Sequence, residues 1–179
     1  HQSSKTQNVT FRGDGPNQDI EIRCTDITTD AFYLRNFKSV TFTNVTIWQC
    51  KYGLYIRDTT RVMIKNCRFW RCGSTSSPSV HRFSNTQAEQ LAHWQDASKT
   101  SNGGACRIQT TNAVAISDNY VFRTLRGLRV QDVRHSLGVP SYICNNQIVE
   151  SLESGIYLAS SDYAFGNVYG CRNILITGN

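Results

Sequence analysis

The residues best suited to chemistry are three carboxylic acids in strand-and-turn settings. Asp58 closes the run Gly53-Leu-Tyr-Ile-Arg-Asp, Asp132 closes the similar run Gly127-Leu-Arg-Val-Gln-Asp, and Glu150 follows Gln147-Ile-Val. Hydrolysis of a glycosidic bond ordinarily needs two carboxyl groups, one to donate a proton and one to activate water or attack the sugar. Asp58 and Asp132 form the candidate pair, with Glu150 beside Arg123 as a second choice. The competing reading is plain: an aspartate ending a strand is more often an ordinary turn residue, and Glu150 with Arg123 can be a simple ion pair.

A second set of residues is suited to binding. Tyr33, Tyr55, Arg107, Arg129 and Tyr157 fall at equivalent places in similar segments, the first four each two residues before Arg35, Arg57, Gln109 or Gln131, while Trp48, Trp70 and Arg123 recur elsewhere. Flat aromatic faces pack on sugar rings, and the guanidinium fork grips carboxylate, sulfate or phosphate through paired bonds. Arginine outnumbers lysine fourteen to five in a chain of net charge +6. An anionic partner is therefore expected, and an acidic polysaccharide ranks first. Nucleic acid ranks well below it, because no zinc-finger spacing, helix-turn-helix pattern or RNA-binding motif is present. Aromatic and arginine enrichment also marks protein interfaces, and that reading stands beside the first.

Proton transfer at neutral pH could fall to His81, Glu89, His93 and Asp96, which are more simply read as solvated loop residues. No metal and no cofactor is called for. The seven cysteines contain no C-x-x-C, and no aspartate cluster of the kind that holds calcium is visible.

The elements that must position these residues form a repeat. Val40-Thr-Phe-Thr-Asn44-Val-Thr-Ile-Trp48-Gln-Cys50 returns as Val62-Met-Ile-Lys-Asn66-Cys-Arg-Phe-Trp70-Arg-Cys72, and further copies begin at Val114 and Tyr142. Each is followed by a glycine-led run, at Gly53, Gly104, Gly127 and Gly155; a fifth copy starts at Asn173, and weaker ones precede Val40. The short period-2 runs of β-branched and aromatic residues, broken by Asn, Gly, Asp and Ser, leave no room for crossover helices. Strands too short to form a core alone must stack on their neighbours, about 4.8 Å apart.

Alignment on the asparagines assigns the faces. Ile47, Phe69, Phe122 and Val149 are expected to stack inside, as are Leu54, Cys106, Leu128 and Ile156, and Ile56, Ile108, Val130 and Leu158. Cys50 and Cys72, 22 residues apart, stack with Leu125 and Leu152 as small core hydrophobes. Asn44, Asn66, Asn119, Asn146 and Asn179 are expected to form one ladder at one corner. Outside, the columns read Tyr33, Tyr55, Arg107, Arg129, Tyr157; Arg35, Arg57, Gln109, Gln131, Ala159; and Trp48, Trp70, Arg123, Glu150. Asp58 and Asp132 share a register two coils apart with Thr110 between, a separation of about 9 to 10 Å from the coil spacing, which suits an inverting hydrolase.

The pattern I-x-(x)-N-x-[IVF] followed by G-[ILV]-x-[ILV] resembles the right-handed parallel β-helix superfamily, which includes pectin-degrading enzymes, alginate epimerases and bacteriophage tailspikes. The likeness spans roughly residues 19–179. It implies an all-β fold, a single-stranded right-handed parallel β-helix in one domain over residues 1–179, with a loop inserted at about 73–103. It says little about function, because one scaffold hosts many chemistries. The N-T-D, G-H-G and R-I-K set of polygalacturonases and the D-P-H-E stretch of alginate epimerases are absent. Phage-type proteins therefore rise, and those resembling this repeat work as trimers, so a homotrimer through the β-helix is implied.

The expectation that follows is a tailspike-like or tail-fibre-like segment, extracellular or on the virion, that binds and could depolymerise a bacterial surface polysaccharide. The alternatives are a secreted lyase or epimerase acting on uronates, and a structural fibre or adhesin without catalysis. No apolar run reaches the roughly 20 residues that cross a bilayer, and residues 1–7 lack a signal peptide's apolar segment. The fifth copy begins a coil and stops without a polar cap, so a piece of a longer chain is expected.

Overall fold

The computed structural model describes residues 7–14, 20–25, 29–75, 101–133, 140–151, 154–159, 171 and 174–179. The alternating β-branched and aromatic runs form strands, and successive copies lie in parallel register above one another. Each full coil has three faces. The first carries Phe32–Arg35, the leading halves of Tyr52–Lys65 and Gly104–Ser117, Arg126–Val133 and Ser154–Ala159. The second carries Asn8–Arg12, Ser39–Thr43, the trailing halves of the two long strands, Ser141–Cys144 and Ile174–Thr177. The third is a separate sheet of Ile20–Arg23, Val45–Trp48, Arg68–Trp70, Tyr120–Phe122 and Gln147–Val149. No helix occurs among the described residues.

Most corners of the described coils are turned by a residue in the left-handed region. Asn36, Asp58, Thr110 and Asp132 turn the first face into the second; Asn44, Asn66, Asp118, Asn145 and Gly178 turn the second into the third; Gln49, Arg71, Arg123 and Glu150 turn the third towards the first, all with φ between 52° and 66°. That conformation costs an L residue about 1 kcal/mol. Stacking offsets the cost by handing each corner backbone a partner on the next coil, as where Gln49 N–H donates to the Trp70 carbonyl and Arg71 N–H to that of Phe122, both at 3.0 Å.

The interior is mostly apolar, with buried asparagines and threonines near the corners. Leu54, Cys106 and Leu128 stack in register, as do Ile56, Ile108 and Val130, and all six are fully buried. A buried side chain of this size stabilises by roughly 1.5 to 3 kcal/mol. Cys50 and Cys72 are free thiols, fully buried, with their sulfurs 3.4 Å apart and Leu125 following on the next coil. The hydrogen bond that Cys50 donates to Cys72 and burial push the Cys50 thiol up, and burial does the same to Cys106. Cys50 and Cys72 thus behave as core, as expected. Leu152 lies outside the described residues.

Two expectations fail, for one reason. Asn119, Asn146 and Asn179 do not sit at the corner with Asn44 and Asn66; Asp118, Asn145 and Gly178 occupy it instead. The later asparagines stand one residue further along, level with Cys67, and form a ladder, buried at Asn119 and Asn146, in which Asn119 Nδ2 donates to Asn146 Oδ1 at 2.8 Å and Asn146 Nδ2 to Asn179 Oδ1 at 2.9 Å. The outer corner has its own pairing, Asn66 Nδ2 to Asn44 Oδ1 at 2.9 Å. A one-residue offset exchanges the two faces of a strand. Hence Phe69 stacks on Val121 and Ile148 inside, while Phe122 and Val149 join the column of Trp48 and Trp70 outside.

The insertion is pinched at its base by an antiparallel pair, Ser74 opposite Asn102 and Thr75 opposite Ser101. His81, Glu89, His93 and Asp96 lie outside the described residues.

Candidate functional site

The first face carries the tyrosine and arginine column in the expected order, Tyr33, Tyr55, Arg107, Arg129, Tyr157, one residue per coil. Period 2 puts these side chains outside because Leu54, Cys106 and Leu128 beside them point in. Tyr33 and Tyr55 pack edge to face at 5.0 Å. The Arg107 guanidinium lies 4.8 Å from the Tyr55 ring centre, and that of Arg129 lies 5.3 Å from Tyr157. The two arginines thus sit between tyrosine rings and each touches one, which holds long side chains in place before any ligand arrives. Tyr33 and Tyr157 remain 52% and 44% exposed, so their faces can be covered by a ligand.

The neighbouring column of Arg35, Arg57, Gln109 and Gln131 braces this wall. Arg107 Nε donates to Gln131 Oε1 at 3.1 Å, and the Tyr55 hydroxyl donates to Gln109 Oε1 at 3.3 Å. Arg35 Nε donates to Asp58 Oδ2 at 2.8 Å, and Arg57 Nε lies 3.3 Å from the same oxygen without hydrogen-bond geometry. The Nε of Arg129 is hidden from solvent and has no hydrogen-bond acceptor.

The candidate acids fare differently from one another. Asp58 and Asp132 share a corner column with Thr110, as expected. Asp58 is held in ion pairs by Arg35 and Arg57, and Asp132 is only 3% exposed. Glu150 accepts a hydrogen bond from Arg123 Nε on the coil below. That pair occupies the corner between the third and first faces, not the tryptophan column in which both residues were expected.

Trp48 and Trp70 belong to the third face, a different sheet from the tyrosine and arginine column. Their rings stack at 4.9 Å and 11°, with Phe122 edge-on to Trp70 at 5.0 Å and the Arg23 guanidinium 5.2 Å from the Trp48 ring centre. The tryptophan column thus stands on its own sheet, apart from the tyrosine and arginine column.

Asp30 is a further acid that the sequence did not single out. Its Oδ1 is buried without a hydrogen-bond partner. Burial pushes its carboxyl above the usual range, against the opposing pull of Lys51, the Tyr52 backbone and Arg107. Only the fold could reveal it, since its repeat copy is weak and its neighbours come from later coils.

Among the described residues no group of three or more His, Cys, Asp or Glu is placed to hold a metal ion, and no helix is long and apolar enough to cross a membrane. Comparison with curated proteins and with solved structures gave no match. The family described as the right handed beta helix region matches residues 3–179. With parallel coils, three faces and an apolar interior in agreement with that match, the chain belongs to the right-handed β-helix family.

Proposed function

We propose that this chain is a polysaccharide-binding segment of tailspike or tail-fibre type, gripping an acidic bacterial surface polysaccharide along its first face. The observation that carries the reading is the unbroken column Tyr33, Tyr55, Arg107, Arg129, Tyr157. Its steps of about 4.8 Å offer a linear polymer a repeated set of ring faces and cations. Trimeric assembly of parallel solenoids is part of the same proposal and is checked by the mass of the particle in solution.

Depolymerisation by the Asp58 and Asp132 pair is the catalytic form of this reading, and elimination or epimerisation of uronates is its enzymatic rival. The two ion pairs of Asp58 and the burial of Asp132 favour binding without cleavage, as in an adhesin. A group already committed to two cations is poorly placed to shuttle a proton.

The test is incubation with panels of capsular polysaccharide and lipopolysaccharide, comparing the native chain with Arg107→Ala and Arg129→Ala. Salt-sensitive binding that falls roughly tenfold in each variant is expected, the loss of about 1.4 kcal/mol of charged hydrogen bonding. New reducing ends would add hydrolysis, and unsaturated products absorbing in the ultraviolet would add elimination. Binding indifferent to both arginines would remove the first face from consideration.

A further inference from the structure

We infer that a polar cleft at the corner between the second and third faces is a second glycan site, selective for an uncharged sugar. It lies away from the first face and does not depend on the reading given above. The cleft has a volume of ≈ 380 Å³, and three consecutive coils supply its rim: Asn66 and Arg68, then Asp118 and Tyr120, then Asn145 and Gln147. The fold dictates this spacing. In each coil the first residue of the pair is the left-handed corner, and the second is the first outward position of the third-face strand, where Arg68, Tyr120 and Gln147 stack in register.

The floor is closed and satisfied. Asn119, 2% exposed, spends its carboxamide on the Cys67 N–H, the Ile64 carbonyl and Asn146. Hydrogen bonding to a ligand therefore falls to the rim, whose groups are exposed or half-buried. Three carboxamides, one phenol, one guanidinium and one carboxylate give many donors and acceptors and no net charge. Asp118 and Asn145 are themselves only loosely joined, at 3.4 Å. Such a set matches the hydroxyls of a neutral sugar and offers a uronate no surplus cation, the reverse of the first face.

Tyr120 adds the surface on which a sugar ring would lie. Its ring is 5.4 Å from Trp70 and stacked at 13° with Phe122, 6.2 Å away. The cleft therefore opens onto the aromatic row of Trp48, Trp70 and Phe122. A polar corner beside flat apolar rings is how a protein holds a pyranose by its hydroxyls and its C–H face together.

The experiment uses the whole chain and neutral oligosaccharides derived from glucan, galactan, mannan and chitin, with binding followed by saturation-transfer NMR and calorimetry. Binding of at least one neutral series is expected, with little dependence on salt. Tyr120→Ala and Gln147→Ala should each weaken it roughly tenfold and leave any acidic-polymer binding unchanged, while Arg107→Ala should leave the neutral series unchanged. Gln147 is exposed on the sheet surface, so its variant keeps the test valid if Tyr120→Ala disturbs packing against Trp70. The inference is overturned if no neutral series binds, or if binding persists in Gln147→Ala and Asp118→Asn alike. Loss of acidic-polymer binding in Arg107→Ala alone would speak only to the first face.

Discussion

The Oδ1 of Asn119 accepts the backbone N–H of Cys67 at 2.8 Å, so a side chain from one coil completes the backbone bonding of the coil beneath it. The same carboxamide donates to the Ile64 carbonyl at 3.1 Å. A buried residue that satisfies main-chain groups on a neighbouring coil is a staple between coils.

Asn119→Ala is expected to cost roughly 3 kcal/mol, because it strands a buried donor and a buried acceptor. Asn66→Gly is expected to stay within about 1 kcal/mol, since glycine adopts the corner's positive φ freely. Urea midpoints of the two variants against the native chain make the comparison. Equal losses would show that the buried ladder contributes no more than the exposed one.

Two glycines of one column should respond in opposite ways to a single methyl. A Cβ on Gly127 would lie 2.1 Å from the Gly155 carbonyl oxygen and 3.2 Å from Ile148, whereas one on Gly155 would meet nothing nearer than 3.6 Å. Gly127→Ala should therefore lose about 2 kcal/mol or more, because backbone cannot move aside. Gly155→Ala should be nearly neutral. Thermal unfolding of both variants reads the difference directly.

Asp30 imposes a pH dependence whose direction follows from its burial. Its carboxyl titrates above its ordinary 3.8 in the folded chain, so the folded state holds a proton that the unfolded state has released. Its contribution to stability is therefore highest below the ordinary carboxylate value and falls as pH rises through the raised one. Asp30→Asn should remove that decline and make the chain more stable than native at neutral pH. Denaturant titrations of both proteins between pH 3 and pH 8 check this, and parallel curves would refute it.

Asp58→Asn should change stability by no more than about 1 kcal/mol, because its ion pairs with Arg35 and Arg57 are partly solvated. Freed of their carboxylate, both arginines should hold an acidic polysaccharide at least as tightly as before, most clearly at low salt. Calorimetry at two ionic strengths measures it. If the native chain releases reducing ends and the variant binds without releasing them, Asp58 is assigned to hydrolysis.

Much of the fold was legible in the residues. The repeat led to stacked coils, and on the first face the columns follow the observed register, because Gly53, Gly104, Gly127 and Gly155 mark equivalent points without ambiguity, although Leu158, expected inside, is 40% exposed. The third face was misread because asparagine serves two purposes here. At the corner it tolerates a left-handed backbone, a task that Asp118 and Gly178 perform equally well, and one step later it staples coils. Identical letters were aligned where equivalent positions differed by one.

The sequence by itself determined the repeat, the apolar interior and the tyrosine and arginine column, since these follow from local alternation and from the need of short strands to stack. Only the tertiary structure decided that Trp48 and Trp70 stand on another sheet from Tyr55 and Arg107, that Arg123 pairs with Glu150 at a corner, and that Asp30 has one carboxyl oxygen buried. The physical reason is that a column is written in the period of one strand. The angle between faces and the burial of an acid depend on where the corners turn and on what later coils lay against them.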